Sequence, residues 1–232
     1  MATTGGMLTG LILTALAGWG LYEYLPAQYN PFTPLSPNDP PTLVTRYKLR
    51  ALANNPTACM AVLKQAGELG MIQFREQTST QGDCPLASPL RVTRFGDVQL
   101  SSSFLASCPL ALSSAMYVHQ RAVPTAAQIM GSQLTRIDHV GSYACRNIYN
   151  REQARRSEHA TADALDISGF RFANGQHITV RKGWNESGAR GEVMRALFNQ
   201  SCHFYGNSLG PDYNAAHADH FHLGMRGFGL CR

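Results

Sequence analysis

No CxxC pair occurs among the six cysteines of this 232-residue chain, which excludes the zinc–thiolate sites and thioredoxin-like redox chemistry that depend on that spacing. Charged residues are sparse, at 15%. The Lys and Arg among them are scattered, with no basic stripe and no aromatic–basic stacking motif, so nucleic acid is excluded as a partner. The net charge of +5 suits anionic surroundings such as cell wall or lipid head groups. No internal repeat or low-complexity block interrupts residues 42–232, and that length is enough for one domain with a sizeable core. No positive charge precedes the first apolar run either, which argues against a cleaved signal peptide.

That run, Met7 to Tyr22, is read as a membrane or export segment within residues 1–25. Ala15-Leu16-Ala17 resembles a signal-peptidase site, but the apolar core before it is brief, and an uncleaved single-pass anchor in the inner membrane is favoured. Residues 26–41 contain six prolines and predict an extended, semi-rigid spacer. Cys59, Cys84, Cys108, Cys145, Cys202 and Cys231 are even in number and widely spaced, as expected for three disulfides in an oxidising compartment such as the periplasm. Fifteen pairings are open. Stapling of neighbouring segments favours Cys59–Cys84, Cys108–Cys145 and Cys202–Cys231.

Residues 42–232 read as one α+β unit, a small antiparallel sheet with flanking helices. Helical spacing predicts helices over Thr57–Leu69, Cys108–Arg121 and Glu192–Tyr205, the first opened by Pro56 and stopped by Gly70, the last stopped by Gly206. Strands are predicted over Leu90–Phe95 and Val98–Ser102, Leu134–Tyr143, and His220–Leu223, with a hairpin of Ala164–Phe172 and Gln176–Lys182 turning at Asn174-Gly175.

Two segments concentrate metal-ligand side chains: SEHATADALD over Ser157–Asp166 and HADHFH over His217–His222. On a strand, His220 and His222 share one face while Phe221 points to the other. His159 sits in the loop before an extended segment carrying Asp166, so a turn can bring both to that face. Zinc in hydrolytic sites takes three His or carboxylate ligands and leaves a fourth position for water. Either pattern alone is common and any single His is more often a hydrogen-bonded surface or core residue; their co-occurrence is the stronger signal. His119, His139, His177 and His203 lack matching partners and are read as structural. The run Arg151, Arg155 and Arg156 is a solvated loop face or a contact for substrate carboxylates. Trp184 and Tyr143 belong to a groove or to the core.

SEHATADALDISGF and HADHFHL together resemble the zinc peptidases that include D-Ala-D-Ala carboxypeptidases, the periplasmic murein endopeptidase and the hedgehog fold, in which S-x-H-x6-D is followed by H-x-H. More closely, SYACR at Ser142–Arg146, SEHA, DISGF and HADHFHLG look like the bacterial extensin-like C-terminal domain over most of residues 42–232. The resemblance implies a hedgehog/DD-peptidase-like zinc fold, with His159, Asp166 and His222 as ligands and Arg146 as the oxyanion-binding cation. His220 is then the general base, with Asp219 as the alternative base; His217 and Asp219 are candidate partners that hold an imidazole in its tautomer, and Ser157 a hydrogen-bonding residue of the ligand loop or a turn cap. One departure stands out: where the broader family has Gly four residues before the Asp ligand, this chain has Ala162. The expected function is a membrane-anchored, periplasmic zinc peptidase acting on stem or cross-link peptides of peptidoglycan. A non-catalytic, zinc-containing wall-binding or partner-binding module is the rival, since fold alone does not establish function.

Overall fold

In the computed structural model, which describes residues 4–232, a mixed α+β unit is formed. The chain runs α1 (Thr4–Tyr24), α2 (Leu43–Leu52), α3 (Pro56–Glu68), β1 (Gln73–Glu76), β2 (Leu90–Phe95), β3 (Val98–Ala106), α4 (Cys108–Tyr117), α5 (Val123–Met130), β4 (Leu134–Gly141), β5 (Ala164–Phe172), β6 (His177–Thr179), α6 (Val180–Gly183), α7 (Gly188–Ser201), β7 (Asn207–Leu209), β8 (Phe221–Gly224) and β9 (Leu230–Cys231). Among the described residues the strands form one nine-stranded sheet in the order β1-β2-β3-β4-β5-β8-β7-β9, with β6 also on β5. The α+β architecture with flanking helices is the expected one, with a sheet that is mainly antiparallel and includes parallel β3–β4 and β7–β9 pairings.

Period-two burial puts Val92, Val98, Leu100, Phe104, Ile137, Leu165, Ile167, Phe170, Phe221 and Leu223 of the strands into one core with the apolar faces of α3, α4, α5 and α7. The Asn55 side chain caps α3 by accepting from Ala58 N–H, with Pro56 in the first turn. The helix expected over Cys108–Arg121 runs on: α4 passes through a π-helical turn, Val118–Ala122, into α5, which ends at Gly131 in the left-handed conformation (φ 57°). Pro124 lacks the N–H that would continue a regular ladder there, and a π turn absorbs the mismatch. The last long helix starts at Gly188, earlier than Glu192, and the predicted hairpin gives way to α6 after Thr179.

Three expectations are corrected. The disulfides pair Cys59 with Cys108, Cys84 with Cys145, and Cys202 with Cys231. The last is as expected, but the first two join segments distant in sequence because α3 packs on α4, and the loop before β2 folds over the stretch after β4. The proline-rich stretch is no free spacer, since Asn30, Leu35 and Asp39 are buried. The buried Lys48 ammonium of α2 donates to the Ala27 carbonyl (2.8 Å) and lies 3.7 Å from Asp39, while Gln120 Nε2 donates to the Pro37 carbonyl at 2.7 Å. The predicted membrane run does become helix α1, but no helix among the described residues is long and apolar enough to cross a membrane. Glycines and threonines dilute its apolar residues. The first three residues of that segment lie outside the described residues.

Candidate metal centre

β5 and β8 pair antiparallel with Asp166 directly opposite His222. Leu165 and Ile167 on one strand, and Phe221 and Leu223 on the other, are core residues. Alternation therefore turns Asp166 and His222 to the opposite face, side by side. Phe221 is the anchor of this arrangement: its ring lies 5.1 Å from that of Phe198 and 5.8 Å from that of Trp184, and full burial of such a side chain is worth about 1.5–3 kcal/mol. Trp184 is thus core, whereas Tyr143 is exposed and its hydroxyl donates to the Cys84 carbonyl.

His222 Nδ1 lies 2.9 Å from Asp166 Oδ1. His159 arrives from a single 3₁₀ turn, Glu158–Thr161, with Nε2 3.1 Å from Asp166 Oδ2. Ser157 starts that turn, its hydroxyl accepting from His159 N–H at 3.3 Å. Ala162 ends it with φ 53° and ψ 35°, so the position where the resemblance expected glycine is a left-handed one that glycine adopts without strain. The turn still delivers its histidine: ligand atoms of His159, Asp166 and His222 lie within 4.8 Å of one another.

The imidazole nitrogens turned away from the cluster are held. His159 Nδ1 is 3.0 Å from the Ser142 carbonyl, to which it donates, and His222 Nε2 is 3.5 Å from Glu158 Oε2. Each ring therefore offers one nitrogen inward while an outer N–H is fixed, the arrangement that orients metal-binding histidines. Two imidazoles and a carboxylate form a donor set suited to zinc. Glu158 went unassigned in the sequence because only the fold shows where its carboxylate goes. It accepts from Arg226 N–H (2.7 Å) and Asn207 Nδ2 (3.0 Å), and it lies on Gly224, where a Cβ would sit 2.5 and 2.7 Å from its two oxygens.

Electrostatics follow from these contacts. Burial opposes ionisation of Asp166, but the hydrogen bonds from His159 and His222 outweigh it and hold the carboxyl well below its usual range. Burial likewise disfavours Glu158 ionisation, and the hydrogen bonds from His222, Arg226 and Asn207 overcome it and lower its pKa. Burial would lower His222, yet Asp166 and Glu158 push it up to about 9. Burial, reinforced by His222 and His220, takes His217 down to about 4.

The structure brings the other candidates to the same place. His220 Nε2 lies 3.7 Å from Asp166 Oδ2, and its Nδ1 is 2.9 Å from Asp219 Oδ1. Asp219 is exposed and stands behind His220. His217 pairs through Nδ1 with Asn214 Oδ1 at 2.8 Å, its ring 5.3 Å from that of His220 and 5.8 Å from that of His222. A cavity of about 480 Å³ opens over the cluster, walled by Arg146, Tyr149, Arg155, Tyr213, His217 and His220 among others. Arg151 stacks on Tyr149, and the Arg156 carbonyl accepts from Arg226. His119, His139, His177 and His203 are not part of this cavity. One wall is a flap in which residues 144–148 double back on 155–159, through Ala144 N–H to the His159 carbonyl, Ser157 N–H to the Arg146 carbonyl and Ile148 N–H to the Arg155 carbonyl. Cys84–Cys145 bolts its base beside Arg146.

A family model described as extensin-like protein C-terminus matches residues 57–232. No curated protein and no solved structure matches the chain.

Proposed function

The chain belongs to the extensin-like protein C-terminus family, and from that premise we propose that it is a zinc-dependent peptidase that hydrolyses a peptide bond in the stem or cross-link peptides of peptidoglycan. The observation that carries this reading is the convergence of His159, Asp166 and His222 under an open cavity, with both outer imidazole nitrogens already committed to Ser142 and Glu158. Three ligands from His and carboxylate leave a coordination position for solvent, as hydrolytic sites do, whereas structural zinc sites are closed by a fourth protein ligand. The resemblance of the two motifs to those of D-Ala-D-Ala peptidases, murein endopeptidase and hedgehog supports the same reading.

When bound, zinc supplies a Lewis acid and lowers the pKa of a bound water to about 7. The chain's own residues do the rest. Asp219 accepts the Nδ1 proton of His220, which leaves Nε2 on the cluster side with a lone pair to take a proton during attack. His217 is kept neutral and packs against His220 and His222, so it orders the imidazole layer without adding charge. Arg146, on the cavity wall, supplies positive charge for the oxyanion that develops on the scissile carbonyl. The disulfides support export to an oxidising compartment, the periplasm, where the polymer is found.

The test is digestion of purified peptidoglycan by the full chain with added zinc, with a His220→Ala control, read by mass spectrometry of released muropeptides. New fragments from the wild type alone are expected. Stoichiometric zinc binding without any fragment would replace this reading by a non-catalytic wall-binding module.

A further inference from the structure

The flap over the cluster carries more order than a solvent loop needs. Tyr149 and Asn150 are consecutive non-glycine residues with positive φ, 54° and 56°, a conformation that costs on the order of 1 kcal/mol or more per residue and persists only where surrounding contacts offset it. Those contacts are present. Asn147 and Arg156 form an isolated antiparallel bridge, and Asn147 Nδ2 donates to the carbonyls of Arg151 (3.1 Å) and Glu152 (3.0 Å). Asn214 Nδ2 donates to the Tyr149 hydroxyl at 2.9 Å. The same Asn214 holds His217 through its Oδ1, so one amide ties the flap to the imidazole layer.

The flap brings two arginines to the cavity wall. Arg146 and Arg155 both line it, and neither guanidinium has a protein partner among the described residues. Arg226, also on the wall, is committed to the Arg156 and Ser157 carbonyls. The carboxylates on the wall are already engaged: Asp166 with His159 and His222, Glu158 with Arg226, Asn207 and His222. The cavity therefore offers free positive charge and no free negative charge. Arg146 is taken up by the oxyanion role; of Arg151, Arg155 and Arg156, the run whose sequence left open a solvated face or a carboxylate contact, only Arg155 lines the cavity.

We propose that Arg155 is a specificity residue that pairs with a free carboxylate of the peptide beside the scissile bond, and that the Tyr149–Asn214 hydrogen bond is the latch that holds the flap, and Arg155 with it, over the cavity. This rests on the peptidase reading and narrows its substrate to peptides with a carboxylate near the bond cut. A planar fork of N–H donors matches a carboxylate bidentately. Arg155 acts on the substrate; Tyr149 is a positioning residue.

Binding of N-acetyl-D-alanyl-D-alanine and of its C-terminal amide to the zinc-loaded full chain, followed by calorimetry, tests the proposal without requiring turnover. A preference for the carboxylate of roughly tenfold is expected in the wild type, falling to near unity in Arg155→Gln and partly restored in Arg155→Lys. Tyr149→Phe should weaken the preference and speed amide hydrogen exchange across residues 147–156 while leaving zinc affinity unchanged. Equal binding of the two peptides by the wild type, absence of binding included, or an unchanged preference in Arg155→Gln, overturns the role of Arg155. Unchanged exchange in Tyr149→Phe overturns the latch. A carboxylate preference that depends on Arg155 in a protein that releases no muropeptide keeps the Arg155–carboxylate contact, as a binding determinant, and removes the peptidase reading instead.

Discussion

Replacing Glu158 by Gln removes one acceptor from a group that has no spare one. Oε1 takes the Arg226 N–H, and Oε2 takes Asn207 Nδ2 and faces His222 Nε2. Whichever way the amide is turned, its NH2 group meets a donor: Arg226 N–H on one side, Asn207 and His222 on the other. The side chain cannot sink away, because Gly224 already lies under it at a spacing that excludes even a Cβ. At least one hydrogen bond to a charged acceptor is lost, worth about 1.5–3 kcal/mol, and His222 loses its outer anchor, a change that typically costs about 10–100-fold in metal affinity. Competition titration of zinc against a chromophoric chelator should therefore show Kd weakened by about 10–100-fold in Glu158→Gln. The metal-free proteins give a second readout. Glu158 has a folded pKa below its unfolded value, so its contribution to stability is fully present above the unfolded pKa of about 4.5 and is lost as pH falls through the folded value. The stability gap between wild type and variant should be open at pH 7 and close in acid. A zinc Kd within twofold of wild type, with the stability gap present, would refute the second-anchor reasoning and leave Glu158 as a brace for Arg226 and Asn207 alone.

Further outcomes are expected at other positions. His222→Ala should abolish zinc binding, whereas His220→Ala should retain zinc and lose hydrolysis by about 100-fold or more; equal metal loss in both, measured by titration, would make His220 a ligand. Ala162→Gly should relieve the left-handed strain at φ 53° and, after the entropy cost of glycine, raise stability by about 0.5–1 kcal/mol; a loss in urea unfolding would contradict that account. Lys48→Met leaves the buried Asp39 carboxylate and the Ala27 carbonyl without their cation and should cost roughly 3 kcal/mol, with residues 26–41 becoming sensitive to limited proteolysis.

Local signals in the chain were sufficient for much of this. The Pro56 start of α3, the β2–β3 pair around Gly96-Asp97, the Asn174-Gly175 turn and the alternation around Phe221 all depend on neighbours within a few residues. The two motifs named His159, Asp166, His220 and His222, because ligand chemistry restricts residue type and strand geometry restricts spacing. The short strands β1, β7 and β9 carry no such signal: at four, three and two residues they exist because a partner strand satisfies their hydrogen bonds. The stretch 26–41 reads as a spacer from its prolines, and only its tertiary contacts, with Lys48 and Gln120 foremost, reveal that it packs.

The sequence by itself determined which residue types were available for a metal, and the periodicity that would turn two of them to one face. Tertiary structure alone decided the rest. Pairing Asp166 with His222 requires the register between β5 and β8, strands 56 residues apart at that pair, and the Cys59–Cys108 and Cys84–Cys145 bridges require the packing of segments 49 and 61 residues apart. The charges of Glu158 and Arg155 are equally visible in the chain, but one is half-buried against Gly224 and the other lines the cavity. A side chain's chemistry is local, whereas its burial, its partners and hence its proton affinity are set by groups that only the fold brings near.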